Sequence, residues 1–107
     1  MTSTRVVLST AGSAEEARKI ALALVERSFA ACVNIVPQIE SVYRWQSKVE
    51  TSHEFLLIVK TTAEQVAKIF ETIQDLHSYE LAECIALEIT AGSEAYLQWI
   101  AENSTGA

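Results

Sequence analysis

Little in this chain punctuates the backbone: its 107 residues include one proline and three isolated glycines, Gly12, Gly92 and Gly106. Glycines so spaced make neither a G-x-G-x-x-G turn nor a Walker A cradle, so nucleotide hydrolysis lacks its phosphate-binding loop. Basic charge is scarce too, with eight lysines and arginines against fourteen acidic side chains and a formal charge of −6. Such a surface displaces few counterions from a phosphate backbone, which sets nucleic acid aside as a partner. No Cys-x-x-Cys, His-x-x-x-His or G-x-S-x-G spacing occurs, which removes dithiol redox, zinc-hydrolase and serine-hydrolase chemistry. No apolar run approaches the roughly 18 residues that cross a bilayer, and no basic-apolar-small leader opens the chain. The expectation is a cytoplasmic protein with no membrane partner.

What is present is core. Half of the residues are hydrophobic, enough for a single domain over 1–107 with no room for a second. Only Met1 to Thr4 and Asn103 to Ala107, small and polar without a period, are expected to lack docking partners. Arg5 to Thr10 is a β-branched run closed by Ala11 and Gly12, a strand entering a turn. Ser13 with Glu16 reads as a capping box, and Ala17, Ile20, Ala21 and Leu24 follow at helical spacing. Ala30 to Trp45 then alternates with period two, broken at Pro37, which cannot donate to a ladder and marks a bulge on an edge.

Polar Gln46 to Ser52 reads as a hairpin connection into His53 to Thr61, whose unbroken Phe55 to Val59 run marks a central strand. Thr61 or Thr62, with Glu64 or Gln65 three residues on, is placed to cap a second helix whose stripe is Val66, Ile69, Phe70, Ile73 and Leu76 and whose end is His77. Glu83 to Ile89 alternates as a half-buried strand, and Ser93 opens a short helix carrying Tyr96, Leu97, Trp99 and Ile100. The order is βαββαβ, an α+β, ferredoxin-like antiparallel sheet with both main helices on one face and a C-terminal helix added. Tyr43, Trp45 and the helix around Trp99 then carry more apolar surface than a lone domain covers, which predicts an oligomer.

Cys32 and Cys84 lie in apolar runs, where a thiol acts as a small buried hydrophobe. The densest polar cluster is His77, Ser78, Tyr79 and Glu80, with Glu83 beyond. An imidazole beside carboxylates is a donor set for a borderline ion such as Cu(II) or Zn(II), which makes His77, Glu80 and Glu83 the candidate metal ligands. The plainer reading keeps His77 as a cation at a helix C-terminus and leaves both glutamates in solvent. Lys60, closing an apolar strand, either faces an anionic pocket or snorkels outward. Tyr43 and Trp45, two apart on one strand face, stack a ligand or fill a core or interface.

Five ordered segments, AACVNIVP at Ala30 to Pro37, SVYRW at Ser41 to Trp45, EFLLIVKT at Glu54 to Thr61, HSYELAE at His77 to Glu83 and YLQWI at Tyr96 to Ile100, resemble the CutA family of divalent-cation tolerance proteins across essentially the whole chain. The resemblance implies a ferredoxin-like homotrimer with sheets joined edge to edge, in which the long hairpin reaches a neighbouring subunit and Tyr43, Trp45 and Trp99 become interface residues. It implies tolerance to copper and other divalent cations, no catalysis and no obligatory cofactor. Cys32, Lys60 and Tyr79 match the family pattern near its inter-subunit cleft, as do Glu80 and Glu83. Bacterial metal ligands proposed for the family are a first-strand cysteine and an adjacent histidine pair; here those positions read Ser9 and Leu76–His77, and Ser47 stands where glycine is usual.

The sequence therefore favours a trimer that binds divalent cations such as copper or zinc weakly. A competing reading is a PII-like signalling module taking a small anionic effector in the cleft through Lys60 and Tyr79. An RNA-recognition domain shares the fold but needs a basic, aromatic central-strand motif that HEFLLIVKT lacks. On these readings His77→Ala leaves assembly stability nearly unchanged and Trp45→Ala weakens it.

Overall fold

The most apolar segment sits where its composition predicts, inside the sheet: β3 (Lys48–Thr62) lies between β1 (Thr4–Ala11) and β2 (Cys32–Trp45), and β1 carries β4 (Ile85–Glu88) on its far side. All three pairings are antiparallel, in the order β2-β3-β1-β4 of two interleaved β-α-β halves. The computed structural model describes residues 2–107, so Met1 lies outside the described residues. Helices α1 (Ala14–Glu26) and α2 (Val66–Leu76) cover one face, and α3 (Glu94–Glu102) packs beside β3 and β1.

Register explains the core. Val7 pairs with Val59 and Val59 with Val33, one residue out of step with Val6, Lys60 and Cys32. The first row meets the helices, where Val7, Val59, Leu57, Ile20, Ile69 and Ile73 are 0% exposed. Burying each such side chain stabilises the fold by about 1.5–3 kcal/mol before entropy is counted.

Ser13 caps α1, its Oγ accepting from the Glu16 amide at 3.1 Å. The reciprocal half of the capping box does not form: the Glu16 carboxylate instead accepts from Ser78 N–H at 2.5 Å and Ser78 Oγ at 2.9 Å, fastening α1 to the turn after α2. Without a glycine, α1 still ends in a Schellman motif. Ser28 takes φ 58°, its N–H reaches Val25 O, and Phe29 N–H reaches Leu24 O.

Four expectations need correction. The connection between β2 and β3 is two residues, Gln46 and Ser47 (φ 49° and 70°), a type I′ turn with Trp45 opposite Lys48. Residues 46–52 are polar because they form exposed ribbon as well as turn. Thr61 and Thr62 do not cap α2; their hydroxyls donate to Phe29 O at 2.6 Å and Ser104 O at 3.4 Å, and α2 starts after a 3₁₀ turn, Ala63–Gln65. β4 is exposed throughout, because Ile85 and Leu87 pair with Leu8 and Val6 on the face the two main helices leave open. The tails dock through backbone groups that composition does not reveal: Gly106 N–H donates to Ser28 O at 2.8 Å, Ser104 is buried, and Thr2 Oγ1 donates to Ile89 O at 2.5 Å.

The bulge at Pro37 does form. Val36 faces Leu56 and Ile39 faces Glu54, so Pro37 and Gln38 stand opposite Phe55 alone, with Gln38 at φ 59°. Because β1 ends opposite Phe55, Ile39–Trp45 and Lys48–Glu54 continue as a two-stranded arm. The arm stretches the molecule to 43 × 25 × 22 Å.

Candidate functional site

Where the arm leaves the body, a cavity of about 770 Å³ opens between the ribbon and the turn after α2. Ser41, Tyr43 and Trp45 line it from the arm, Thr10 and Glu54 from the sheet, and residues 79–83 from the turn. Glu54 is its central group. The residue is 6% exposed, and its Oε2 accepts a hydrogen bond from the Tyr79 hydroxyl at 2.9 Å. Among the described residues no lysine, arginine or histidine lies within salt-bridge distance of Glu54, so no basic side chain neutralises it. Burying a carboxylate without a countercharge is costly, and the phenol relieves only part of that cost.

The wall around Glu54 is electrically consistent. Burial, reinforced by the hydrogen bond and charge of Glu54, pushes the Tyr79 phenol up to about 12, so it remains a donor. Burial and then the neighbouring Glu54 charge also raise Glu83 above the usual carboxylate range. Both shifts come first from burial, with the Glu54 charge adding to each.

The turn is held from three directions. His77 Nε2–H donates to Thr10 O at 2.6 Å, Tyr79 N–H donates to His77 Nδ1 at 3.0 Å, and the two rings meet with centroids 4.5 Å apart and planes tilted by 45°. Glu16 Oε1 also approaches Nδ1 at 3.3 Å. Because Nδ1 accepts the Tyr79 amide and Glu16 is taken by Ser78, we assign the neutral, Nε2-protonated imidazole. From α2, Gln74 donates to Glu80 O at 3.2 Å and accepts from Ala82 N–H at 3.3 Å. Gly12 leaves room for the phenol, since a β-carbon there would lie 3.0 Å from the Tyr79 hydroxyl.

The structure brings Glu80 and Glu83 to one cavity but does not put His77 with them. The imidazole is buried with both nitrogens engaged, which replaces the expectation of either a metal ligand or a helix-terminal cation. Among the described residues no group of three His, Cys, Asp or Glu side chains is placed to hold a metal. Glu54, Gly12 and Gln74 were missed by sequence reasoning. Their only signals were a charge at the head of an apolar strand, a glycine at a strand end and a polar residue near a helix end.

The Cys32, Lys60 and Tyr79 set is divided within one chain. Cys32 pairs with Lys60, whose Nζ donates to Asn34 Oδ1. Lys60 lies six residues from Glu54 along β3, about 20 Å at strand rise. Both cysteines are half-buried and unbonded, with burial raising the Cys84 thiol. Tyr43, Trp45 and Trp99 are each exposed by 41–43%, and Trp99 stacks on Tyr96 at 5.5 Å.

A family model described as CutA1 divalent ion tolerance protein matches residues 5–103. The divalent-cation tolerance protein CutA of Thermus thermophilus is 50% identical over 99 residues, covering 92% of this chain and 96% of that one. The chloroplastic protein CutA of Arabidopsis thaliana is 46% identical over 94% of this chain, which spans 54% of that longer protein. The solved Thermus structure superposes with a TM-score of 0.92 over 94% of this chain and 98% of that one. A periplasmic CutA from Archaeoglobus fulgidus superposes at 0.91, with 40% identity over 94% of this chain and 98% of that one. The chain belongs to the CutA1 divalent ion tolerance family.

Proposed function

We propose that the chain works in the cytoplasm as a non-catalytic homotrimer whose acidic cleft takes divalent cations weakly, and that this underlies tolerance to copper and similar ions. The observation that carries the reading is Glu54, a buried carboxylate without a basic partner, facing the same cavity as Glu80 and Glu83. A divalent cation there offsets the burial of the Glu54 carboxylate and, at Glu83, the burial and then the Glu54 repulsion that raise it. Oxygen donors without imidazole or thiolate favour hard ions and give copper little selectivity. Glu54, Glu80 and Glu83 therefore attract the cation as separate carboxylates around one cavity rather than as a converged ligand set, which is why binding is weak, and His77 positions Tyr79. For an anionic effector, Lys60 lies about 20 Å from Glu54 and Tyr79's hydroxyl along β3, which leaves the PII-like alternative less support.

The trimer rests on exposed surface. A two-stranded ribbon is marginal alone in water, yet the arm displays Val42 and Val49 at 64% and 65% exposure. Both sheet edges are open, and β4 adds exposed Ile85 and Leu87. Tyr43, Trp45 and Trp99 are the proposed aromatic contacts between copies.

Calorimetric titration of metal-free protein with Cu(II) and Zn(II), beside a sedimentation mass, tests both parts. The expected result is a trimer with weak, saturable binding that Glu54→Gln removes and His77→Ala retains. Tight copper binding abolished by His77→Ala, or a monomer, contradicts the reading.

A further inference from the structure

We infer that the acidic cleft of one chain is completed by the arm tip of a neighbouring copy, whose Lys48 supplies the ammonium that the cleft carboxylates lack. The inference rests on the homotrimer and cation readings above and names the residue that a second copy adds to the site. Two unmet charges lie on one face of the same ribbon. Even spacing along β3 puts Lys48, at the tip, on the face that carries Glu54 at the base. Among the described residues no carboxylate lies within salt-bridge distance of Lys48, and no basic group lies within that distance of Glu54. Six residues of strand, about 20 Å, separate the two within one chain. A second copy joins them without bending the ribbon.

Length and chemistry both fit. The arm runs about 20 Å past Glu54, close to the 25 and 22 Å short axes of the molecule, so a tip laid beside a neighbouring body reaches across it. The cavity, about 770 Å³, is larger than one ion fills and holds a lysine with its alkyl stem along apolar wall. At the tip, Trp45 stands opposite Lys48 and is 41% exposed; at the cleft, Leu81 is 70% exposed and lies in sequence between Glu80 and Glu83. Ammonium thus meets carboxylate while ring meets Leu81. Tip and cleft are different patches of one surface, so the contact runs head to tail and closes as a ring. A divalent cation then enters by displacing that ammonium, a second reason for weak binding. The two are linked reciprocally: the factor by which metal loosens the arm contact is the factor by which losing that contact tightens the metal.

The test is zero-length carbodiimide cross-linking of the intact protein, assembled from a mixture of unlabelled and isotope-labelled chains and read by mass spectrometry. The expected product joins Lys48 of one chain to Glu54, Glu80 or Glu83 of another, and saturating Zn(II) lowers its yield. Lys48 is exposed, so its substitution leaves the body folded. Calorimetry should show Zn(II) binding several-fold tighter to Lys48→Gln than to the parent, with Lys48→Arg, which keeps the charge, matching the parent. Absence of a Lys48 link between chains, links from the cleft to other lysines instead, or zinc affinity indifferent to Lys48→Gln overturns the inference. A trimer that still binds zinc then leaves the broader reading standing. A monomer by sedimentation, or protein that binds no zinc, removes that reading and this inference with it.

Discussion

The body and the arm are built from the same alternating pattern and meet opposite fates. In the body, Val7, Leu57 and Val59 find α1 and α2 above them and lose all exposure. In the arm, the same β2 and β3 run on past β1, and Val42, Tyr43, Trp45 and Val49 remain in the open. A strand pattern specifies that one face is to be buried but leaves unsaid what buries it. The body closes on itself, whereas the arm's apolar surface calls for another chain.

That contrast is broken most strongly in the body. Leu57→Ala should cost about 2–5 kcal/mol, read as a lowered urea midpoint. His77→Ala comes next. The sequence suggested near-neutrality, but the ring is buried and bonded at both nitrogens, so removing it should cost about 1–3 kcal/mol and loosen the 77–83 turn, visible as faster amide exchange at Tyr79. Trp45→Ala should leave the body folded and weaken assembly by about 2 kcal/mol, seen as dissociation on dilution in sedimentation. An intact trimer at every concentration would remove the account of the arm.

Smaller effects sharpen the comparison. Ser47→Gly relieves a left-handed serine (φ 70°) in the arm's turn and should add about 1 kcal/mol to thermal stability. Tyr79→Phe removes the hydroxyl that Glu54 accepts from, an effect read through its pH dependence. The phenol of Tyr79 ionises near 10.0 when unfolded and about 12 when folded, so the native state holds the extra proton in that window. Its contribution is complete below 10.0 and lost as pH rises through about 12. Tyr79→Phe should flatten that part of an alkaline stability curve.

The element order was legible because the helical stripe Val66, Ile69 and Ile73 and the period-two run before Trp45 are local signals. The Pro37 bulge was legible because proline removes a donor wherever it falls. The arm's turn was not, since Gln46 and Ser47 carry none of the asparagine or glycine that announces a type I′ turn. The site was half legible. Tyr79, Glu80 and Glu83 stand together in sequence, but the burial of Glu54 depends on a phenol 25 residues away. Likewise, His77 beside a helix end reads as a dipole partner, and only the fold brings Thr10 O, 67 residues distant, to its ring.

The account's central claim is that cations enter the cleft at Glu54. Anomalous diffraction from crystals grown with Zn(II) tests this most directly, because it reports position rather than heat. The account predicts a peak between the Glu54 and Glu83 carboxylates in each chain. A peak at His77, or cleft carboxylates without one while zinc is bound elsewhere, would contradict it.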